Sequence, residues 1–139
     1  MINFNYEIDF KLENETLFSN WISKVILSEK KKEGEISYIF CDDDFILEIN
    51  KQYLNHDFYT DIISFDYSVG NELHGDIFIS IERVQENAED FNVTFKEELQ
   101  RVIIHGILHY CGYKDKTKED EILMRNIENE KIKMFHVEQ

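Results

Sequence analysis

The first ten residues alternate: Ile2, Phe4, Tyr6, Ile8 and Phe10 fall on one side, Asn3, Asn5, Glu7 and Asp9 on the other. A period of two predicts a half-buried strand. The period then changes. Leu17, Phe18, Trp21, Ile22, Val25 and Ile26 recur at helical spacing behind Asn14, whose side chain suits an N-cap. The predicted helix ends in the basic run Lys30 to Lys32, before Gly34, where cations complement the negative end of the helix dipole. Glu35 to Phe40 reads as a second strand through Ile36, Tyr38 and Phe40. Asp42 to Asp44 precede Phe45, Ile46, Leu47, Ile49 and Tyr53, which have helical periodicity. An N-cap and a favourable first-turn charge account for these aspartates without a metal.

Further on, Asn55, His56 and Asp57 are turn formers, and Ile62, Ile63, Phe65 and Tyr67 give a third strand. Gly70 and Asn71 mark a turn before a fourth strand, Gly75 to Ser80, so an antiparallel hairpin is expected. Ile81 to Phe91 is weakly amphipathic and reads as a short helix. Thr94-Phe-Lys-Glu97 is a capping-box pattern opening a helix through Leu99, Val102, Ile103, Ile104 and Leu108, too apolar to lie on the surface. Gly112 breaks it. Thr117 to Asp120 resembles a second cap, and Ile122, Leu123, Ile127, Ile132 and Met134 suggest a terminal helix reaching almost to the end. The expectation is an α+β or mixed α/β fold, one domain over residues 1–139, with a small mixed sheet of about four strands packed against several helices.

Composition narrows the function. The chain is 42% hydrophobic and 14% aromatic, so its net charge of −14 belongs to a folded surface rather than a disordered tail. Such acidity argues against non-specific binding of nucleic acid or anionic membrane, and a polyanion needs a local cation at its point of contact. Cys41 and Cys111 form no Cys-x-x-Cys pair, which suits reduced thiols in a cytoplasmic protein. No leader-like or membrane-spanning run is visible, and Met1 is expected at or near the mature start.

Candidate chemistry lies in His105-Gly-Ile-Leu-His109-Tyr-Cys-Gly112-Tyr-Lys-Asp115. Histidines four apart on a helix share a face, and Gly112 lets the chain fold back so that Asp115 approaches the same point. Two nitrogens and a carboxylate oxygen suit a divalent ion with a position left open for water. The zincin-like spacing His-x-x-x-His-x-x-Gly-x-x-Asp is that of the elongated metal motif of metzincin proteases, with Asp for the last His. Those proteases carry their general-base Glu directly after the first His, where this chain has Gly106. Losing such a base costs roughly a hundredfold to ten-thousandfold, so a metallopeptidase is the disfavoured reading. Cys111 should point away from the His109 face and serve packing, and His56, His74 and His136 lack a matching spacing.

Three motifs in order, Asn50-x-x-Tyr53 with Thr60-Asp61-Ile-Ile-Ser64-Phe65, Gly75-Asp76-Ile-Phe-Ile-Ser80, and His105-Gly-Ile-Leu-His109-x-x-Gly112-Tyr113, resemble the YbeY family. The resemblance implies a metal-dependent, single-strand-specific endoribonuclease in ribosomal RNA maturation and ribosome quality control. It implies a zinc-like ion held by three histidines, with water on the metal as nucleophile and no side chain assigned as general base. The ligands map onto His105, His109 and Asp115, the last replacing the family's third histidine. Leu54 stands where the family usually has a phosphate-binding arginine, and Lys51, Lys114 and Lys116 are the substitute candidates. Partners implied are single-stranded RNA, ribosomal RNA or the small ribosomal subunit, with neither DNA nor membrane. A ribosome-associated assembly factor with little or no nuclease activity is the alternative.

Overall fold

The computed structural model describes residues 1–56 and 59–137, the side chains of 136 and 137 excepted. Its elements run β1 (Ile2–Tyr6), α1 (Glu15–Ser28), β2 (Lys32–Cys41), α2 (Asp43–Leu54), β3 (Ile62–Asp66), β4 (Glu72–Ser80), α3 (Ile81–Phe91), α4 (Phe95–Tyr110) and α5 (Lys118–Val137). The strands form one mixed four-stranded sheet in the order β1-β2-β4-β3. β1 lies parallel to β2, with Ile2 beside Ile36, and β2 parallel to β4, with Ser37 beside Asp76. β3 runs antiparallel to β4, with Ile62 beside Ile79 and Asp66 beside Gly75. That last pair is the expected hairpin, turned through Gly70 at φ 61°. Parallel neighbours need a crossover instead, and α1 supplies it between β1 and β2.

Alternation along the strands divides the apolar residues between two faces. On one face Ile36, Tyr38, Phe40, Ile77 and Ile79 bury against Trp21, Ile22 and Val25 of α1 and Ile103, Ile104 and Ile107 of α4. Phe135 of α5 closes this core, its ring edge-on to Trp21 at 5.1 Å. On the other face Cys41, Ile63, Phe65 and Phe78 pack with Ile46 and Ile49 of α2. Ile62 and Ile63 therefore point to opposite sides, and Ile62 brings the edge strand β3 beneath α4. Among the described residues no helix is long and apolar enough to cross a membrane.

The N-cap expectations hold: Asn14 accepts from the Leu17 N–H, Asp42 from that of Phe45, and Thr117 from that of Asp120. Several boundaries differ from the pattern. β1 stops at Tyr6, because the chain bends after Glu7 and Phe10 turns in to pack on Tyr6, Phe40 and Phe95. The basic run does not end α1, which stops at Ser28. Lys30 adopts φ 61°, and Lys32 already begins β2. β2 and β4 are longer than expected and pair along their extra length, Lys32 with Glu72. The terminal helix shows a different inner face. Ile122 and Leu123 are exposed, and the buried stripe is Met124, Glu128, Lys131 and Phe135. Asp57 of the expected turn lies outside the described residues.

Helix α4 is pinned to the sheet where its last residue, Tyr110, donates from its hydroxyl to the Phe65 carbonyl at 2.8 Å. This requires a glycine on β4: a Cβ at Gly75 would collide with the Tyr110 hydroxyl and the Phe65 carbonyl oxygen. Gly75→Ala is expected to lower stability by about 1–3 kcal/mol through overpacking, measured as a shifted urea midpoint with an unchanged slope.

Candidate metal centre

The sequence of α4 sets where its histidines emerge. Its start is fixed by the capping box: the Glu97 N–H donates to Thr94 Oγ1 at 3.1 Å, and the Thr94 N–H to Glu97 Oε1 at 3.4 Å. Leu99, Val102, Ile103, Ile107 and Leu108 take the helix into the core, leaving His105 and His109 one above the other at its margin. The helix ends in a Schellman motif, with the Gly112 N–H on the His109 carbonyl at 3.0 Å and that of Tyr113 on the Leu108 carbonyl at 3.1 Å. Gly112 has φ 105°, a region that L side chains rarely adopt. The chain reverses there and delivers Asp115 to the histidines.

His105 Nε2 and His109 Nε2 are 3.0 Å apart, and Asp115 Oδ2 lies 3.2 Å from the first and 3.4 Å from the second. Ligand atoms of the three fall within 4.8 Å of one another, the one such group of metal-binding residue types among the described residues. The hydrogen bonds behind the rings define the chemistry. His109 Nδ1 is 3.0 Å from the Tyr113 carbonyl, which can only accept, so Nδ1 carries the hydrogen and Nε2 presents a lone pair. His105 Nδ1 faces Glu128 Oε2 at 2.6 Å with the same consequence. Two nitrogen lone pairs and a carboxylate oxygen thus converge with no donor between them when both imidazoles are neutral. A proton or a cation resolves that repulsion, and a nitrogen, nitrogen, oxygen set suits a divalent ion such as zinc.

Burial opposes a charge on His105. The hydrogen bond and charge of Glu128, with the charges of Asp115 and Asp61, outweigh that cost and raise its pKa. Glu128, 5% exposed on α5, is also bound through Oε1 by Arg101 Nη1 at 2.9 Å, while Arg101 Nη2 holds Asn129 at 2.7 Å. Sequence reasoning missed Glu128. Its signal was the helical stripe 124, 128, 131, 135, in which Met and Phe flank two charged residues.

A cleft of about 360 Å³ opens onto this group, lined among others by Asp61, Glu98, Arg101, Arg125 and Glu128. Exposure rises from 21% at His105 to 42% at Asp115, so the group opens to solvent on the Asp115 side. Burial raises the pKa of Asp61, and burial together with the Asp61 charge raises that of Glu98. Gly106 is buried against the sheet, where a Cβ would sit 3.1 Å from Ile77 Cδ1 and 3.3 Å from Ile62 Cδ1. The position that carries the base in proteases therefore faces the sheet, and a side chain there would crowd Ile77 and Ile62. Lys114 and Lys116 flank Asp115 and are exposed, and Lys51 lies on α2 with Glu48 at 3.9 Å; none of these lysines lines the cleft. Cys111 packs against the core. His74 serves the sheet, accepting the Glu35 N–H at 3.0 Å. His56 is exposed, outside the group, and the His136 side chain lies outside the described residues.

The family model described as Endoribonuclease YbeY matches residues 2–136. A protein of Flavobacterium psychrophilum named Endoribonuclease YbeY is 70% identical over 139 residues, covering 100% of this chain and 99% of its own. One of Bacteroides fragilis bearing the same name is 53% identical over 116 residues, 84% of each chain. The solution structure of TM1509 from Thermotoga maritima superposes with a TM-score of 0.69 at 26% identity, over 99% of this chain and 91% of the other.

Two outcomes follow from the site's electrostatics. Glu128→Gln, which leaves His105 without its anionic partner, is expected to weaken zinc binding by about 10–100-fold in chelator competition. Glu98 has a folded-state pKa raised above the unfolded value of about 4.3, so its ionised form costs stability at neutral pH. Glu98→Gln should raise the melting temperature at neutral pH, and the gain should vanish below about pH 4, where the carboxyl is protonated in both states.

Proposed function

The chain belongs to the YbeY family of endoribonucleases, and from that premise we propose that it is a cytoplasmic, metal-dependent, single-strand-specific endoribonuclease. Its substrate in this reading is ribosomal RNA during maturation and quality control of the small ribosomal subunit. The observation that carries it is the convergence of His105, His109 and Asp115 at the mouth of a cleft, within a fold the family model covers almost end to end. A divalent ion such as zinc, held by those side chains, supplies Lewis acidity and activation of water at neutral pH. The chain's own groups do the rest. Glu128 and the Tyr113 carbonyl keep both Nε2 lone pairs aimed inward, Gly106 keeps α4 close to β3, and Asp115 leaves the outer side of the site open.

Phosphate contact is the weaker part of the sequence expectation. Leu54 ends α2 where the family's arginine is expected, and it is 41% exposed. Lys114 and Lys116 flank Asp115 in the chain and are exposed, and Lys51 lies on α2. Two arginines line the cleft itself. Arg101 is committed to Glu128 and Asn129, whereas Arg125 is exposed and has no ion pair or hydrogen bond among the described residues. Arg125 is the cation in the cleft best placed to meet a phosphate. The carboxylates of Asp61, Glu98 and Glu121 on the same walls favour the second reading, an assembly factor with little or no nuclease activity.

Metal-loaded protein incubated with single-stranded RNA at low salt separates the two. Cleavage abolished by EDTA and by His105→Ala is the expected result; co-sedimentation with ribosomes without cleavage supports the factor. Arg125→Ala should weaken binding of a single-stranded oligonucleotide and reduce the slope of log affinity against log salt by about 0.7, one phosphate's share, read by fluorescence anisotropy in the presence of EDTA.

A further inference from the structure

The carbonyl that orients His109 belongs to a residue anchored far away in the sequence. The Tyr113 hydroxyl donates to Glu29 Oε1 at 2.9 Å, and Glu29 Oε2 lies 2.9 Å from Lys131 Nζ. Lys131 Nζ also donates to Ser28 Oγ at 3.0 Å and has Glu130 at 3.8 Å. Lys131 is 4% exposed, and its own carbonyl accepts from Trp21 Nε1 at 2.8 Å in the centre of the core. Burying an ammonium and a carboxylate together adds little net stability, because desolvation offsets their attraction. What such a pair does supply is a fixed position.

That position matters because of how Tyr113 is held. Its N–H is tied to Leu108, but its carbonyl belongs to the following peptide plane and swings with the ψ angle of Tyr113. The residue before it is Gly112, with the backbone freedom of a glycine. The helix end alone therefore does not fix the carbonyl. The side chain adds the constraint, by fastening the residue to Glu29 at the end of α1.

Helix α5 thus reaches both imidazoles. Glu128 acts on His105 directly, and Lys131, one turn further on, acts on His109 through Glu29 and Tyr113. We propose that Lys131, Glu29 and Tyr113 are positioning residues that together set the direction of His109 Nε2, and through it the affinity of the site for a divalent cation. The inference rests on the reading of His105, His109 and Asp115 as metal ligands.

The test is zinc affinity of the full chain, measured by competition with a chromophoric chelator, alongside the visible spectrum of the cobalt-loaded protein. Tyr113→Phe removes the link to Glu29 while leaving the carbonyl, and Lys131→Met removes the charge while filling its volume. Each should weaken binding about tenfold, the low end of the range for groups that orient a ligand. The double variant should be no weaker than the weaker single one, since both cut the same chain of contacts. Phe18→Leu is the control: its ring packs on Phe135 at 5.1 Å and takes no part in the hydrogen bond and ion pair that link Tyr113, Glu29 and Lys131, so it should lower stability and leave affinity unchanged. Wild-type affinity in both Tyr113→Phe and Lys131→Met, or losses matched by Phe18→Leu, would overturn the proposal. Should Lys131→Met not fold, Tyr113→Phe against Phe18→Leu decides alone. Equal zinc binding by the wild type and His109→Ala is a different failure, which removes the metal site itself.

Discussion

Helix α4 is held in the core by a run of apolar residues it cannot expose, and that burial is the constraint on which the site depends. Val102, Ile103, Ile104, Ile107 and Leu108 are each at most 4% exposed, so neither rotation nor translation of the helix is available without exposing several of them. Fully burying each such side chain stabilises by about 1.5–3 kcal/mol, which makes the helix a rigid mount. Two histidines spaced one turn apart on such a mount need no induced arrangement to face the same point. Tyr110 adds a directional lock at the C-terminal end through the Phe65 carbonyl, so the end that carries His109 is fixed to the edge strand as well as to the core.

Rigid placement brings together groups that repel one another, and the repulsion is informative. Lone pairs within 3.0–3.4 Å of one another, with their donors turned outward to Glu128 and Tyr113, are not a self-sufficient polar cluster. Such an arrangement is stable in the presence of a positive charge at its centre. A chain of net charge −14 gains doubly from a cation there, because the ion also offsets the repulsion that a polyanion would meet on approach.

Much of this was legible in the sequence, for identifiable reasons. The caps at Asn14, Asp42, Thr94 and Thr117 are local hydrogen-bonding rules, and each appears where its residue type predicts. His105, His109, Gly112 and Asp115 are also local: one helical turn, one left-handed glycine, one short return. The residues behind the site were not legible, because their meaning depends on tertiary contact. Glu128 and Lys131 sit on the inner stripe of α5, where a reading based on hydrophobicity alone assigns charged residues to solvent and turns the helix toward Ile122 and Leu123 instead. The basic run at Lys30 to Lys32 misled for a related reason. A strand pairing of Lys32 with Glu72 decides where β2 begins, and no local signal shows that partner. Arg125 gave no signal either, since an exposed helical arginine looks the same whether or not a cleft lies beneath it.

With a carboxylate, Asp115, beside two imidazoles, the candidate centre carries a negative charge that a third imidazole would not, and the surrounding groups bear on how far that charge goes. Two neutral imidazoles and one carboxylate would leave a divalent ion with a formal charge of one, weakening it as a Lewis acid relative to a site of three imidazoles. Glu128 would push in the same direction, since a carboxylate on the far nitrogen of His105 makes that imidazole more electron-rich. Arg101 opposes it: a guanidinium 2.9 Å from Glu128 Oε1 takes up part of the carboxylate's charge on the side away from the histidine. Asp115 is itself 42% exposed, so water screens its charge in a way that a buried ligand would not allow. The Arg101 pairing and the exposure of Asp115 both limit the negative charge felt at the centre, and both follow from where α5 and the Gly112 turn place these side chains.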